Sequence, residues 1–360
     1  MKRNYMIIAM VLCLVSFGVI MVYSSSSIWS EYKFKNPYYY LNHQLIFMVL
    51  GIIIMYVLSK IDYQIYYKKA NWILLICFLL LGLVLIPGIG IVRNGSRSWF
   101  GIGSFGIQPS EAAKIGLIIF VAKYLSNNEK AMSNFKKGAL PILMVIFVFF
   151  GLIMLEPDFG TGMVIVVTLV GMLFISNIKL SFFTNLGLLG LIGIVGLVIA
   201  APYRVARIVS FLNPWTDPLG AGFQIIQSLY AIGPGGLFGL GFGNSIQKHF
   251  YLPEPQTDFI FAIISEEFGY MGIVILGTLY LMLFYQVLKV SLNSSDLFGK
   301  YLAFGLIFGI MFQTALNIAV VIGLVPVTGV TLPFFSYGGS SLLVSMASIG
   351  IILNISRNVK

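Results

Sequence analysis

The sequence predicts an all-α integral membrane protein: a polytopic bundle of about ten transmembrane helices, both termini cytoplasmic, with one large extracytoplasmic loop. Three observations predict it. Of 360 residues, 59% are hydrophobic and only 9% charged, at a mean hydropathy of +0.96, where soluble domains carry about 25% charged residues. Apolar runs recur at the ~20-residue length that crosses hydrocarbon. Basic residues gather on alternate connections, as they do on the cytoplasmic side of membrane proteins.

The runs fall near 5–24, 41–58, 71–91, 110–125, 139–155, 160–177, 182–201, 265–288, 300–323 and 341–355. Residues 1–360 then form one transmembrane domain, with its large outer loop at about 202–264. The first run follows Met-Lys-Arg-Asn, which resembles the start of a signal peptide. It is long and no Ala-x-Ala site follows, so an uncleaved first span is expected. With the N-terminus inside, 14 of the 22 lysines and arginines are cytoplasmic. Only Asp62, Glu129 and Asp296 of the twelve acidic residues join them. The net charge of +10 therefore speaks for a surface facing membrane lipids. Without a basic stripe carrying stacking aromatics, it does not speak for nucleic acid.

Cys13 and Cys77 lie in apolar runs, and His43 and His249 are isolated. Neither pair suggests a disulfide framework or a metal centre.

Four outer segments interrupt the apolar pattern. From Val92 to Glu111, glycines and polar residues predict a compact loop or hairpin carrying Arg93 and Arg97. These are either surface charges or anion contacts. Ser110, after Pro109, is expected to cap the fourth helix. Glu111 and Lys114 follow on one helical face. Ionisable groups in a span cost about 2.5–3.5 kcal/mol each on insertion scales, so this pair faces a cavity or itself. The second segment, Glu156-Pro-Asp-Phe-Gly-Thr161, offers Asp158 or Thr161 as the cap of the sixth helix.

The third runs from about 201 to 264. Arg204 and Arg207 open it, Phe223–Ile232 reads as a short amphipathic helix, and a glycine run spans Gly233–Gly243. That run lacks the Gly-Lys-Ser/Thr ending of a nucleotide loop and suits close backbone packing. The segment closes on the most polar stretch of the chain, Gln247 to Glu267, with Lys248 and the carboxylates Glu254, Asp258, Glu266 and Glu267. Glu266 and Glu267 are expected at the start of the eighth span, where negative charge suits the helix dipole.

On the ninth span, Gln313 and Asn317 stand one turn apart as expected interhelical glue. The fourth segment, Gly323 to Ser341, is irregular backbone at membrane depth, tolerated only where protein buries it or a cavity adjoins it. The helix start at Ser340 and Ser341 is either a plain broken-helix element or an anion site for phosphate or pyrophosphate. These residues describe an outward cavity lined by carboxylates, cations and backbone N–H groups. They leave open a transporter or flippase and an enzyme acting on a membrane-dissolved substrate.

Several motifs narrow the choice. Ile107-Gln-Pro-Ser-Glu111, Glu156-Pro-Asp-x-Gly-Thr161, Pro253-Glu-Pro-Gln-Thr-Asp-Phe-Ile-Phe-Ala262 and Leu332-Pro-Phe-x-Ser-Tyr-Gly-Gly-Ser-Ser341, in this order, closely resemble the SEDS family (shape, elongation, division and sporulation). Val92-Arg-Asn-Gly-Ser96 and the Pro-Glu-Pro-Gln-Thr-Asp form look most like its FtsW/SpoVE branch rather than RodA. Gln256 departs from the commoner His of the family.

The resemblance implies a peptidoglycan glycosyltransferase. It would polymerise lipid II, the undecaprenyl-pyrophosphate-linked disaccharide pentapeptide, on the outer face of the bacterial cytoplasmic membrane. It implies Asp258 as the catalytic residue, a general base in an inverting single displacement, with Glu111 and Lys114 as cavity residues. Glu254, between two prolines, is expected to be a positioner. The departing pyrophosphate calls for Arg93, Arg97, Lys114, Lys248, the helix start at Ser340 and Ser341, or a divalent cation (Mg or Mn). A class B penicillin-binding protein transpeptidase is the expected partner. The alternatives are a lipid II flippase and a non-catalytic scaffold that recruits a transpeptidase.

Overall fold

The computed structural model describes residues 2–93, 95–102, 105–176, 178–199, 202–220 and 222–358. Each of the ten expected apolar runs overlaps a helix, although the run near 71–91 starts inside the helix Gln64–Val84 and outlasts it by seven residues. The helices are α1 (Lys2–Phe34), α2 (Tyr39–Lys60), α3 (Gln64–Val84), α4 (Pro109–Asn127), α5 (Leu140–Leu155), α6 (Phe159–Phe174) and α7 (Leu180–Ile199), then α10 (Ile260–Leu292), α11 (Leu297–Val321) and α12 (Gly339–Arg357). Among the described residues, seven helices are long and apolar enough to cross a membrane. A helix closes all its backbone hydrogen bonds internally, so Leu-, Ile-, Val- and Phe-rich sequence adopts it wherever hydrocarbon replaces water.

α11 occupies the middle, packed against α4, α6, α9 (Phe223–Ile232), α10 and α12, while α2 lies along α12 and α1 along α2 and α10. The two ends of the bundle differ. At one, Ser356 Oγ donates to Asn4 Oδ1, joining the first and last helices. There too Asp296 accepts from Tyr63 Oη and Gln64 Nε2. The acidic stretch and the irregular fourth segment lie beyond the opposite ends of α10 and α12.

The Val92–Ile107 segment is a small antiparallel sheet, β1 (Ile91–Arg93), β2 (Ser96–Ile102) and β3 (Phe105–Ile107), in the order β1-β2-β3. α4 starts at Pro109 rather than being capped by Ser110. Proline's fixed φ and missing N–H suit the first helical position, and Ser110 falls inside the first turn. Asp158, not Thr161, caps α6, accepting from Thr161 N at 3.1 Å.

The long segment between α7 and α10, expected as the outer loop, is structured. It holds α8 (Pro202–Leu212), on which Arg204 and Arg207 sit with side chains outside the described residues, and α9 over the expected residues. Ser228, expected on the polar side of α9, is buried and donates to Val321 O. α10 begins at Ile260, five residues earlier than expected, and breaks at Gly269 (φ 62°, ψ −160°). The break leaves backbone groups that the glycine run takes up. Leu240 N and Gly241 N donate to Glu266 O and Glu267 O, while Tyr270 N and Met271 N donate to Gly236 O and Leu237 O. Glu266 and Glu267 therefore lie in the second turn of α10, buried, and do not serve as charges at the helix start.

Candidate active site

The irregular segment between α11 and α12 survives because protein satisfies its backbone. Val330 O accepts from Asn317, Thr331 O from Gln313, Pro333 O from Tyr280 Oη and Ser336 O from Gln44, and Leu332 N donates to Ser336 Oγ. Gly18 of α1 lets Phe334 approach; a Cβ there would meet Phe334 O at 2.4 Å. This folded segment forms one wall beside the acidic stretch, and Tyr337 N holds Gln256 O at 2.8 Å.

Two side chains of α11 connect that wall to its neighbours. Gln313 Oε1 accepts from Lys114 Nζ at 2.6 Å while its Nε2 donates to Thr331 O at 3.0 Å. Lys114 Nζ also pairs with Glu111 at 2.7 Å, and Glu111 is only 6% exposed. One turn on, Asn317 Nδ2 donates to Asp258 O and to Val330 O, both at 2.7 Å. Thr331 Oγ1 continues the chain to Ser341 Oγ at 2.9 Å. Ser340 Oγ accepts from Gln108 N and donates to Gly106 O, joining the α12 start to the sheet. Gln108 Nε2 reaches Asp158 Oδ2 at 2.7 Å. Burial raises the Asp158 carboxyl, offset by the Thr161 bonds and, in smaller opposing effects, modulated by Glu111 and Lys114.

Of the residues expected from sequence, Asp258 (by its backbone carbonyl), Glu111, Lys114 and Ser341 are thus joined through α11 and its irregular segment, while Ser340 ties to Gln108 and the sheet. Asp258 is half-buried two residues ahead of α10, and Thr257 Oγ1 lies 2.9 Å from its Oδ1. Glu254 is exposed with φ 43°, and its carbonyl accepts from Thr257 N and Thr257 Oγ1. The hydroxyl has one proton, so Glu254 O and Asp258 Oδ1 share it.

The remaining cations go to different places. Arg93 covers the Trp99 ring at 5.1 Å and packs on Gly106. It lies close enough to Tyr337 to oppose in part the burial that pushes that phenol up to about 12. Arg97 Nη1 reaches toward Leu85 O, a long contact at 3.5 Å. Lys248 is 6% exposed and held by Glu267 Oε1 (3.1 Å), Gly243 O (2.6 Å) and Ser24 Oγ (3.4 Å). Its charge faces Glu267 inside the protein, as that of Lys114 faces Glu111.

Sequence reasoning missed Gln108, Asp158 and Thr331 as parts of the site, and read Gln313 and Asn317 only as glue between helices. Polar side chains one turn apart on an apolar helix were the available signal. Among the described residues, no group of three or more His, Cys, Asp or Glu is arranged to hold a metal ion. A Mg-type ion would be held here by one or two carboxylates together with substrate phosphates.

The sequence profile of the FTSW_RODA_SPOVE family, described as cell cycle protein, matches residues 4–360. Stage V sporulation protein E of Bacillus subtilis (strain 168) is 51% identical over 354 residues, covering 98% of this chain and 97% of that relative. The probable peptidoglycan glycosyltransferase FtsW of Geobacter sp. (strain M18) is 39% identical over 357 residues, 99% of this chain and 97% of that one. A chain from a peptidoglycan synthase complex, solved for the structural coordination of polymerization and crosslinking, superposes with a TM-score of 0.78 at 31% identity. It covers 98% of this chain and 96% of its own. The rod shape determining protein RodA of Thermus thermophilus gives 0.73 at 27% identity, over 98% of this chain and 96% of that one.

Proposed function

The chain belongs to the FTSW_RODA_SPOVE family of cell cycle proteins, and from that premise we propose that it is a multi-pass membrane peptidoglycan glycosyltransferase using Asp258 as general base. Its substrate on this reading is lipid II, as donor and acceptor, polymerised into glycan strands at the outer face of the cytoplasmic membrane. The observation that carries it is the joining of Asp258 to the Glu111–Lys114 pair through adjacent side chains of α11. A carboxylate and a cation held in one framework are what a displacement with an anionic leaving group needs.

In the proposed reaction, a hydroxyl of the acceptor sugar attacks the anomeric carbon of the donor. The bond to pyrophosphate breaks on the opposite face, and the hydroxyl proton passes to Asp258. An α-linked donor then gives a β-linked product in one displacement, which requires a base but no protein nucleophile. General-base help of this kind contributes typically about 10²–10⁴-fold. The developing pyrophosphate charge would meet Lys114, Arg93 and the N-terminal N–H groups of α12 at Ser340 and Ser341, a helix start with no side-chain cap.

A class B penicillin-binding protein transpeptidase is the proposed partner. A chain similar to this one belongs to a synthase complex that couples polymerization to crosslinking, and bare glycan needs crosslinks. Glu254 is proposed to set the turn that presents Asp258.

The test is reconstitution of the purified protein, with its transpeptidase, in liposomes containing labelled lipid II. Glycan polymer supports the proposal. Movement of label across the bilayer with no polymer would make the protein a flippase and overturn it.

A further inference from the structure

Asn317 is 1% exposed, one turn beyond Gln313 on α11. Its carboxamide nitrogen donates to two backbone carbonyls, Asp258 O and Val330 O, each at 2.7 Å. Both N–H groups are then used, and Oδ1 meets no partner among the described residues. The amide has one acceptable pose. Turning it over would set Oδ1 against two carbonyl oxygens, with no proton between them.

Other contacts also dock the acidic stretch. Tyr337 N already binds Gln256 O, Thr257 N binds Glu254 O, and Phe259 is fully buried. What Asn317 adds is a hold on the carbonyl of Asp258 itself. Thr257 Oγ1 lies at the other end of the same residue, on Oδ1. With its backbone tied and one oxygen engaged, an aspartate with two side-chain torsions has little freedom in where its second oxygen points. That matters because a base must stand within hydrogen-bond reach of the hydroxyl it deprotonates. Misplacement by about 1 Å can cost on the order of 10²-fold in rate.

We infer that Asn317 is a positioning residue for glycosyl transfer, acting through Asp258 by clamping its backbone carbonyl to the segment at Val330. The inference rests on the reading of Asp258 as base.

The experiment measures initial rates of lipid II polymerisation over a range of lipid II concentrations, with the full chain and its transpeptidase reconstituted. The wild type is compared with Asn317→Leu, Asn317→His and Asp258→Ala, each rate taken per folded molecule from size exclusion and the thermal transition. Leucine removes both donors on the same branched skeleton, while histidine keeps one ring N–H. A positioning role predicts kcat about 10–100-fold lower in Asn317→Leu with KM within about twofold, and partial recovery of kcat in Asn317→His.

Wild-type kcat in folded Asn317→Leu, beside an inactive Asp258→Ala, would overturn the inference alone. So would a raised KM at unchanged kcat. Failure of both Asn317 variants to fold would assign the residue to the fold and also overturn it. A wild-type rate in Asp258→Ala is a separate result, because it removes the base and Asn317's role with it.

Discussion

Glu156 closes α5 with a side chain that is 0% exposed, and neither of its carboxyl oxygens meets a hydrogen-bond partner among the described residues. Burial, and secondarily the charge of Asp158, push its carboxyl up to about 8. The folded protein thus keeps a proton that the unfolded chain, with an ordinary glutamate pKa of about 4.3, gives up earlier. This contribution is full below the ordinary value, fades as pH climbs from there to about 8, and is gone above. Glu156→Gln, which cannot ionise, should flatten that slope and raise the thermal midpoint at pH 9 by several degrees, with little change at pH 5. Melting curves at the two pH values check it. Lys248 and Glu267 behave differently, because each neutralises the other in a buried setting. Lys248→Met strands the Glu267 carboxylate and should cost about 3–5 kcal/mol. Adding Glu267→Gln should restore much of the loss, and a double-mutant thermal cycle measures the coupling.

Among the elements, α10 is the helix to which the long segment after α7 is fitted. Its break at Gly269 is filled by backbone from the glycine run, and Gly239 (φ 80°) lies so close that a Cβ would fall 2.2 Å from Glu267 O. Gly239→Ala combines that clash with a left-handed backbone, and should destabilise by more than the ~0.4–1 kcal/mol that a strain-free glycine-to-alanine replacement gains. Denaturation in detergent reads the difference.

Helix positions were legible from the sequence because hydrocarbon imposes one local solution on every apolar run. α9 was equally plain, since Phe223–Ile232 repeats its apolar face at helical spacing. The pairings were not legible. Lys114 meets Gln313 across 199 positions, and Ser24 meets Glu267 across 243. No local pattern encodes such partners, so neither the Glu267 partner of Lys248 nor the Asp258 and Val330 carbonyls held by Asn317 could be read. Glu111 and Lys114 were found because they pair within one turn, where sequence spacing and spatial distance agree.

At the scale of the whole molecule, the two ends of the bundle carry different work. One end gathers the Asn4–Ser356 contact of the first and last helices and the Asp296 contacts with Tyr63 and Gln64. The other gathers the sheet, the Glu156–Asp158 turn, the irregular segment before α12 and the acidic stretch. Central α11 spans the bundle between these ends, and its two amides hold the acidic stretch, α4 and the irregular segment in register. In the proposed enzyme this makes the site a property of the assembled bundle and not of the acidic stretch alone. The most direct measurement is the rate of glycan synthesis from lipid II by Asp258→Asn, reconstituted with the transpeptidase and compared per folded molecule with the wild type. A general base predicts a fall of about 10²–10⁴-fold with the thermal midpoint preserved. Polymerisation by folded Asp258→Asn at the wild-type rate would contradict it.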